Sequence, residues 1–288
     1  MKSRLQLLGA MGIFGTVGIF VKYIPLPSAT IAFCRGILGV MFLILLMAVT
    51  QQKPAWSAIR KNLTILILSG VAIGLNWVLF FESFRYTSVA IGTVCYYLAP
   101  LFLILMSPIL GERLSGKKLI CVAIAFVGMA LLSGITDSAT ATGDQLLGIA
   151  LATGAAILYA TVMLLNKKLS PIPAYDKTVI QLAAASLVIV PYLLLTNGFH
   201  FAGLTTIGCV CLLIVGIVHT GIAYAMYFGS MKNLPAHTIA IFSYLDPVLA
   251  VVLSTLVLRE TLTLWGGIGA ALILGSALYS ELPERSKG

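Results

Sequence analysis

The chain consists of long apolar stretches separated by short polar connections. Each stretch has about 20 residues, which as a helix is enough to cross a bilayer core of roughly 30 Å. The pattern predicts membrane-spanning helices at 5–24, 28–50, 62–85, 88–110, 116–135, 144–167, 174–196, 204–231, 235–258 and 262–281. The first stretch lacks the small-residue cleavage site of a signal peptide, so we interpret it as the first span.

Composition agrees with a membrane protein, and the placement of charge predicts its orientation. Apolar residues form 60% of the 288 residues and charged residues 9%, with a mean hydropathy of +1.06. The net charge is +9, and fourteen basic residues lie at the termini and in alternate connections, whereas Lys22, Arg85 and Arg259 lie at the opposite side. Since positive charge stays on the cytoplasmic side, both termini are predicted to be cytoplasmic, in the plasma (inner) membrane. The basic balance therefore requires no nucleic acid.

A sequence motif occurs twice, half a chain apart. The segment YLAP (97–100) is followed by GERLS (111–115), and YLDP (244–247) is followed by RETLT (259–263). Each half holds five predicted spans, and an odd number places the halves in opposite orientations, as in many secondary transporters. The predicted fold class is an all-α integral membrane protein with ten transmembrane helices in two inverted five-helix repeats. The predicted boundaries are 1–135 for the first repeat, 136–143 for the linker and 144–288 for the second repeat.

These features resemble the EamA family of the drug/metabolite transporter superfamily, over nearly the whole chain. The resemblance implies a central cavity and transport, usually export, of amino acids or other small metabolites. The second copy departs from the family pattern, because Arg259-Glu260 replaces Gly-Glu. We therefore expect a secondary transporter that exports small organic metabolites such as amino acids or amine-bearing compounds, with no enzymatic activity and no cofactor.

Other functions remain open at this stage. The chain could be an importer of a cationic or quaternary amine, or a proton-coupled drug-efflux carrier. A channel is a more remote alternative, as is a membrane-embedded enzyme, for which the sequence offers no clustered catalytic motif.

Asp246 is the strongest candidate for binding substrate or carrying a proton. It falls in the middle of the ninth predicted span, where an ionised carboxylate costs roughly 2.5–3.5 kcal/mol on insertion scales. The equivalent residue in the first copy is Ala99, so the duplication does not require an acid there. Pro100 and Pro247 are candidate helix breaks, since a proline leaves the carbonyl one turn before it without its usual donor. The alternative is a protonated Asp246 that forms a hydrogen bond between helices.

The other substrate-binding candidates are polar or aromatic residues within a few turns of mid-membrane: Asn76, Trp77, Tyr96, Tyr97, Tyr224 and Tyr244. As a group they could enclose an amine by cation–π contact or stack on an aromatic ring, although any one of them more often serves packing. His219 is a candidate proton carrier, with a hydrogen bond between helices as the alternative.

Arg35 and Glu82 are expected to form an ion pair on the outer side when the outer gate is closed, with a structural or gating role. The alternative is that the planar guanidinium of Arg35 holds a substrate carboxylate. Gln181 has a position comparable to Arg35 and is expected to serve polar packing. Glu112 and Glu260 are interpreted as helix caps or loop-stabilising partners.

The sequence predicts no metal site and no disulfide. The five cysteines fall inside apolar stretches, where they act as small buried side chains, and the three histidines form no ligand cluster. The expected partners are a small-molecule substrate, the bilayer and, if transport is coupled, protons. A monomer is expected, and the alternative is a homodimer through the small residues Gly267, Ala271 and Gly275 of the last span.

Overall fold

The computed structural model describes residues 2–110, 116–132, 143–196, 198–199, 201–231, 234 and 242–282. The first copy of the charged motif, with Glu112, lies outside these residues, as does most of the predicted linker. Within the described part the chain forms helices and no strands.

The helices follow the apolar stretches closely. In chain order they are α1 (Lys2–Lys22), α2 (Ser28–Val49), α3 (Trp56–Tyr86), α4 (Val89–Tyr96), α5 (Ala99–Met106), α6 (Gly116–Leu132), α7 (Gly143–Lys167), α8 (Ala174–Leu195), α9 (Thr206–Leu213), α10 (Ala223–Met231), α11 (Leu245–Val257) and α12 (Leu264–Glu281). A 3₁₀ turn, Ser107–Leu110, follows α5, and a π-helix, Ile214–Ile222, joins α9 to α10. We call this π-helix the π segment.

Seven helical stretches in the described residues are long and apolar enough to cross a membrane, and α11 and α12 are shorter apolar helices. Large apolar side chains such as Val49, Leu187, Leu195 and Leu256 are exposed on the outside of the molecule. In a protein surrounded by water, exposed apolar surface of this extent would be unfavourable. The predicted class, an all-helical multi-pass membrane protein, is therefore confirmed. The predicted spans at 116–135 and 235–258 are described only in part, and the count of ten remains a prediction.

The helix connections lie on two opposite faces of the molecule. On one face, Glu260 of the α11–α12 connection accepts a hydrogen bond from the backbone N–H of Val89 at 2.9 Å and lies 3.9 Å from the Lys22 ammonium. On the other face, Asp176 at the start of α8 accepts from the N–H of Ala55 at 3.0 Å. We call these the Lys22 face and the Asp176 face. The helix ends meet as expected for a bundle whose helices run alternately up and down.

Helix packing follows the same pattern in both halves of the chain. In the first half, α1 packs on α10 and α11, and α2 packs on the π segment. The equivalent helices of the second half pack in the equivalent way. Helix α7, which corresponds to α1, packs on α3 and on α4 and α5, and α8, which corresponds to α2, packs on α3. The pairs α2–α8, α4–α11 and α6–α12 join equivalent helices. Most of the interior therefore forms between the halves.

Candidate functional site

A helix break precedes the repeated proline in each half of the chain. In the first half, α4 ends at Tyr96 and α5 begins at Ala99, immediately before Pro100. In the second half, α11 begins at Leu245, so that Pro247 occupies its first turn. Proline is tolerated in a first helical turn because the N–H that it lacks would have no intrahelical partner there.

The break in the second half places Asp246 in the first turn of α11. A helix N-terminus carries partial positive charge, which favours a carboxylate. The Tyr97 hydroxyl donates to Oδ2 of Asp246 at 2.7 Å, and it also lies 3.2 Å from the carbonyl oxygen of Ser243. That carbonyl is the one expected to lack its helical donor because of Pro247. Asp246 is thus held between the two helix breaks, one from each half.

One oxygen of the Asp246 carboxylate remains available. Within the described residues, Oδ1 has no hydrogen-bond partner and Asp246 has no ion pair. The side chain is half-buried, and Oδ1, which has no partner there, keeps part of its surface exposed. The carboxylate can therefore accept a further donor that reaches it from an accessible space.

Helix α1 approaches Asp246 closely because residue 15 is glycine. A Cβ at Gly15 would lie 2.8 Å from the carbonyl oxygen of Asp246 and 2.9 Å from Cβ of Leu249. At Gly12, one turn earlier in the same helix, an added Cβ would meet nothing within 4 Å. The absence of a side chain at Gly15 thus sets the distance between α1 and the site.

Tyrosines from several helices surround this point. The Tyr96 ring stacks between Phe80 and Tyr159, with centroid distances of 4.4 and 5.4 Å. The Tyr97 ring lies 6.3 Å from that of Tyr96 and 6.1 Å from that of Tyr244. These rings extend the site from Asp246 toward α3 and α7. Their faces carry negative partial charge, which attracts a cation.

Tyr159 connects α7 to this cluster and was not among the residues singled out from the sequence. Although it lies in the interior of α7, it is 38% exposed. Its ring stacks on that of Tyr96, with the centroids 5.4 Å apart. Its mid-span position could have identified it by the argument applied to the other tyrosines. Tyr227 follows Tyr224 by three residues and shares its helix face.

Asn76 and Trp77 have specific contacts within the protein. The amide of Asn76 donates to the carbonyl of Ala155 at 2.5 Å, and the Tyr96 hydroxyl donates to Oδ1 of Asn76 at 3.4 Å. Asn76 therefore orients Tyr96 against α7. Trp77 is buried, and its ring lies 4.2 Å from the guanidinium carbon of Arg35.

The expected ion pair between Arg35 and Glu82 is not formed in this structure. Nε of Arg35 donates to Oγ1 of Thr220 at 2.9 Å. Glu82 instead accepts from the Ser28 hydroxyl at 2.7 Å and pairs with Arg85 at 3.1 Å. The prediction compared depths in the membrane and ignored rotation about the helix axis. Arg35 contacts Trp77 and Phe81, which share one face of α3. Glu82 is the residue after Phe81, so its side chain points about 100° away around the helix.

The partner of Arg35 belongs to the π segment. The Thr220 hydroxyl donates to the carbonyl of Val215 at 3.0 Å, five residues earlier, which is the spacing of a π-helix. A Cβ at Gly39 would lie 2.4 Å from Cγ2 of Thr220, so glycine at that position lets α2 reach the π segment. Such wide turns occur frequently at functional sites. No pattern in the sequence indicated this turn or the role of Thr220.

His219 forms the hydrogen bond between helices that was the alternative to a proton-carrying role. It is buried, its Nε2 lies 2.8 Å from Oγ1 of Thr16, and its Nδ1 lies 3.3 Å from the carbonyl of Ile214. Its ring also contacts Phe20 edge-on at 5.1 Å. In this conformation His219 therefore joins the π segment to α1.

Two further residues behave as the sequence indicated. Gln181, at the eighth position of α8 as Arg35 is of α2, donates to Oγ of Ser69 at 2.7 Å and to Oδ1 of Asn166 at 2.8 Å. Its predicted role in polar packing is confirmed. Glu260 is confirmed as a cap, since it binds the first N–H of α4.

Broken helices and buried polar residues inside an all-helical membrane bundle are typical of one class of protein, the membrane transporters with discontinuous helices. Comparison with known proteins then identifies the family. The model of the EamA-like transporter family matches residues 1–134 and again 146–280. The chain therefore belongs to the EamA-like transporter family, as the repeated motif indicated.

Similar proteins extend over almost the full chain. YxxF of Bacillus subtilis (strain 168), described as an uncharacterized transporter, is 30% identical over 98% of this chain and 90% of its own length. An uncharacterized transporter of Archaeoglobus fulgidus is 27% identical over 93% and 92% of the two chains. A protein of known crystal structure superposes with a TM-score of 0.67 over 96% of each chain at 18% identity, which supports the fold.

Proposed function

We propose that this transporter moves small amine-bearing metabolites, amino acids among them, out of the cell through a site centred on Asp246. The observation that carries the proposal is the Asp246 carboxylate. It is held at a helix N-terminus by Tyr97, and one of its oxygens is available to a ligand. An ammonium group can donate to that oxygen while its flanking carbons contact the tyrosine rings.

The site joins parts that move relative to each other in alternating access. Tyr97 belongs to the first half of the chain and Asp246 to the second, and their hydrogen bond crosses between the halves. The symmetric packing of the helices supports two inverted five-helix repeats, 1–135 and 144–288, joined by 136–143. Rocking of one repeat against the other would expose Asp246 first to one side of the membrane and then to the other.

Orientation in the plasma membrane is the second part of the proposal. The connections of the Asp176 face carry most of the basic residues, which supports a cytoplasmic location for that face and for both termini. The Lys22 face would then be external. An importer of cationic amines or a proton-coupled drug-efflux carrier could use the same carboxylate, so the direction of transport must be measured.

The test is transport by purified protein in proteoliposomes, with candidate substrates first chosen by thermal shift across amino acids, amines and quaternary ammonium compounds. Asp246→Asn keeps the size of the side chain and removes its charge, so we expect it to fold and to lose transport or change its pH dependence. Asp144→Asn, which removes an exposed carboxylate at the start of α7, is the matched control and should transport normally. Unchanged transport and an unchanged pH profile in Asp246→Asn would disprove the role of Asp246.

A further inference from the structure

One ion pair on the Lys22 face joins the two halves of the chain. Lys22, the last residue of α1, lies 3.9 Å from Oε1 of Glu260 in the α11–α12 connection. The other oxygen of the Glu260 carboxylate accepts the hydrogen bond from the N–H of Val89 at 2.9 Å. The second ion pair of the described residues, Arg85 with Glu82, lies within α3. Glu260 therefore connects the second half to two helix ends of the first half, those of α1 and α4.

The groups that Glu260 binds are themselves fixed at helix ends. The Lys22 ammonium also donates to the carbonyl of Phe84 in the last turn of α3. The N–H of Val89 is the first of α4 and has no partner within its own helix. The ends of α1, α3 and α4 thus meet the α11–α12 connection at one place. We call the two bonds of Glu260, to Lys22 and to Val89, the Glu260 latch.

A strained turn brings Glu260 to this place. Arg259 has a φ of 56°, in the left-handed region that costs energy for residues other than glycine. The N–H groups of Leu258 and Glu260 both donate to the carbonyl of Ser254, at 3.0 and 3.2 Å, so the turn is fixed to the end of α11. Backbone strain of this kind is concentrated at segments with a functional role.

The helices below the latch are packed without a gap along α1. Gly15, Gly18 and Lys22 lie on one face of α1, and the first of them meets the backbone of Asp246. A Cβ at Gly18 would lie 2.3 Å from Cγ1 of Val89, and α4 packs in turn on α11. Gly15 and Lys22 are seven residues apart, which is roughly 10 Å along a helix. Over this distance, from the level of Asp246 to the Lys22 face, α1 is in direct contact with α11, α4 and the α11–α12 connection.

We infer that the Glu260 latch is the gate that closes the Lys22 face of the transporter, and that this structure is its closed state. The inference rests on the proposed function, because a gate is needed only if Asp246 is exposed to each side of the membrane in turn. Opening of the Lys22 face separates the α11–α12 connection from α1 and α4. That movement breaks both bonds of Glu260, whereas the bond between Lys22 and Phe84 lies within the first half and can persist.

The two bonds of the latch are expected to contribute unequally. The pair between Lys22 and Glu260 is long and partly exposed to water, and such pairs contribute little. The bond from Val89 to Glu260 is shorter, joins a charged acceptor to a backbone donor, and lies at the positive end of a helix dipole. Removal of the Glu260 charge should therefore open the gate more than removal of the Lys22 charge.

The test measures the distance across the Lys22 face by electron paramagnetic resonance on the full-length protein in lipid, without substrate. Nitroxide labels are attached to cysteines at Tyr23 of the first half and Leu264 of the second half, both of which are exposed. Cys34 and Cys209, the native cysteines that are not buried, are replaced by serine. For the wild-type latch we expect one predominant short distance.

Glu260→Gln should add a longer distance and lower the ratio of closed to open molecules by about fivefold. Lys22→Gln should lower the same ratio by about twofold. Arg85→Gln is the matched control, because it removes a positive charge from the same face without breaking a contact between the halves. It should have the distance distribution of the wild type.

The outcomes separate a gate from a merely structural cap. If Glu260→Gln lowers the Tm but leaves the distance distribution unchanged, Glu260 is a cap only and the gate is overturned. An equal shift in Arg85→Gln would also overturn it, since the cause would then be a general loss of charge on this face. If Glu260→Gln fails to fold, Lys22→Gln decides the question, because it leaves the cap on Val89 intact. The distances are measured without substrate, so a failure of Asp246→Asn to affect transport would refute the proposed site and leave this result unaffected.

Discussion

Helix α1 approaches the backbone of the candidate site at Gly15, and a pair of matched substitutions tests the importance of this contact. Gly15→Ala introduces a methyl group 2.8 Å from the carbonyl oxygen of Asp246 and 2.9 Å from Cβ of Leu249, where ordinary contacts are 3.4–4 Å. Neither neighbour can rotate away, because one is backbone and the other is the first atom of a side chain. The helices must therefore separate locally by roughly 0.5 Å.

The magnitude follows from two opposing terms. Replacing glycine by alanine within a helix stabilises it by about 0.5–1 kcal/mol, whereas overpacking a close contact costs about 1–3 kcal/mol. Gly12→Ala, in the same helix, gains the first term without the second, since its methyl group meets nothing within 4 Å. The difference between the two variants therefore isolates the contact with α11, at about 1–3 kcal/mol.

Two measurements follow from this reasoning. The purified Gly15→Ala protein should have a Tm several degrees below that of Gly12→Ala. Because α11 carries Asp246 in its first turn, its displacement should also raise the KM for transport in Gly15→Ala and not in Gly12→Ala. Equal Tm and equal KM for the two variants would refute the conclusion that α1 contacts the site at Gly15.

Two further predictions concern the Lys22 face and the orientation. Glu260→Gln should lower the free energy of unfolding by about 1 kcal/mol, because it weakens the cap on Val89. The control Arg85→Gln, at an exposed ion pair, should change the free energy of unfolding by no more than about 0.5 kcal/mol. Comparable losses in the two variants, measured by thermal or denaturant unfolding, would contradict the capping role. A reporter fused after Lys168 should be cytoplasmic and one inserted at 139–143 should be external, and a cytoplasmic result at both positions would argue against the inverted repeat.

The sequence alone identified the features that depend on local chemistry. Apolar length predicts where helices cross the bilayer, and the repeated proline predicts where they break, because a proline removes a donor wherever it lies. Asp246 stood out for the same reason, since the cost of a charge in an apolar stretch can be judged without knowing its neighbours. The repeated motif indicated the family, which the match over both halves then confirmed.

Only the tertiary structure decided which side chains meet. The depths of Arg35 and Glu82 were compatible with an ion pair, but depth does not specify which way a side chain points around its helix. That direction is set by the packing of α2 on α3 and on the π segment, which places Arg35 over Trp77 and beside Thr220. The π segment is defined by backbone hydrogen bonds between residues five apart, and its apolar sequence suits an ordinary helix equally well. Rotation and contact are properties of several helices together, so they cannot be inferred from any one of them.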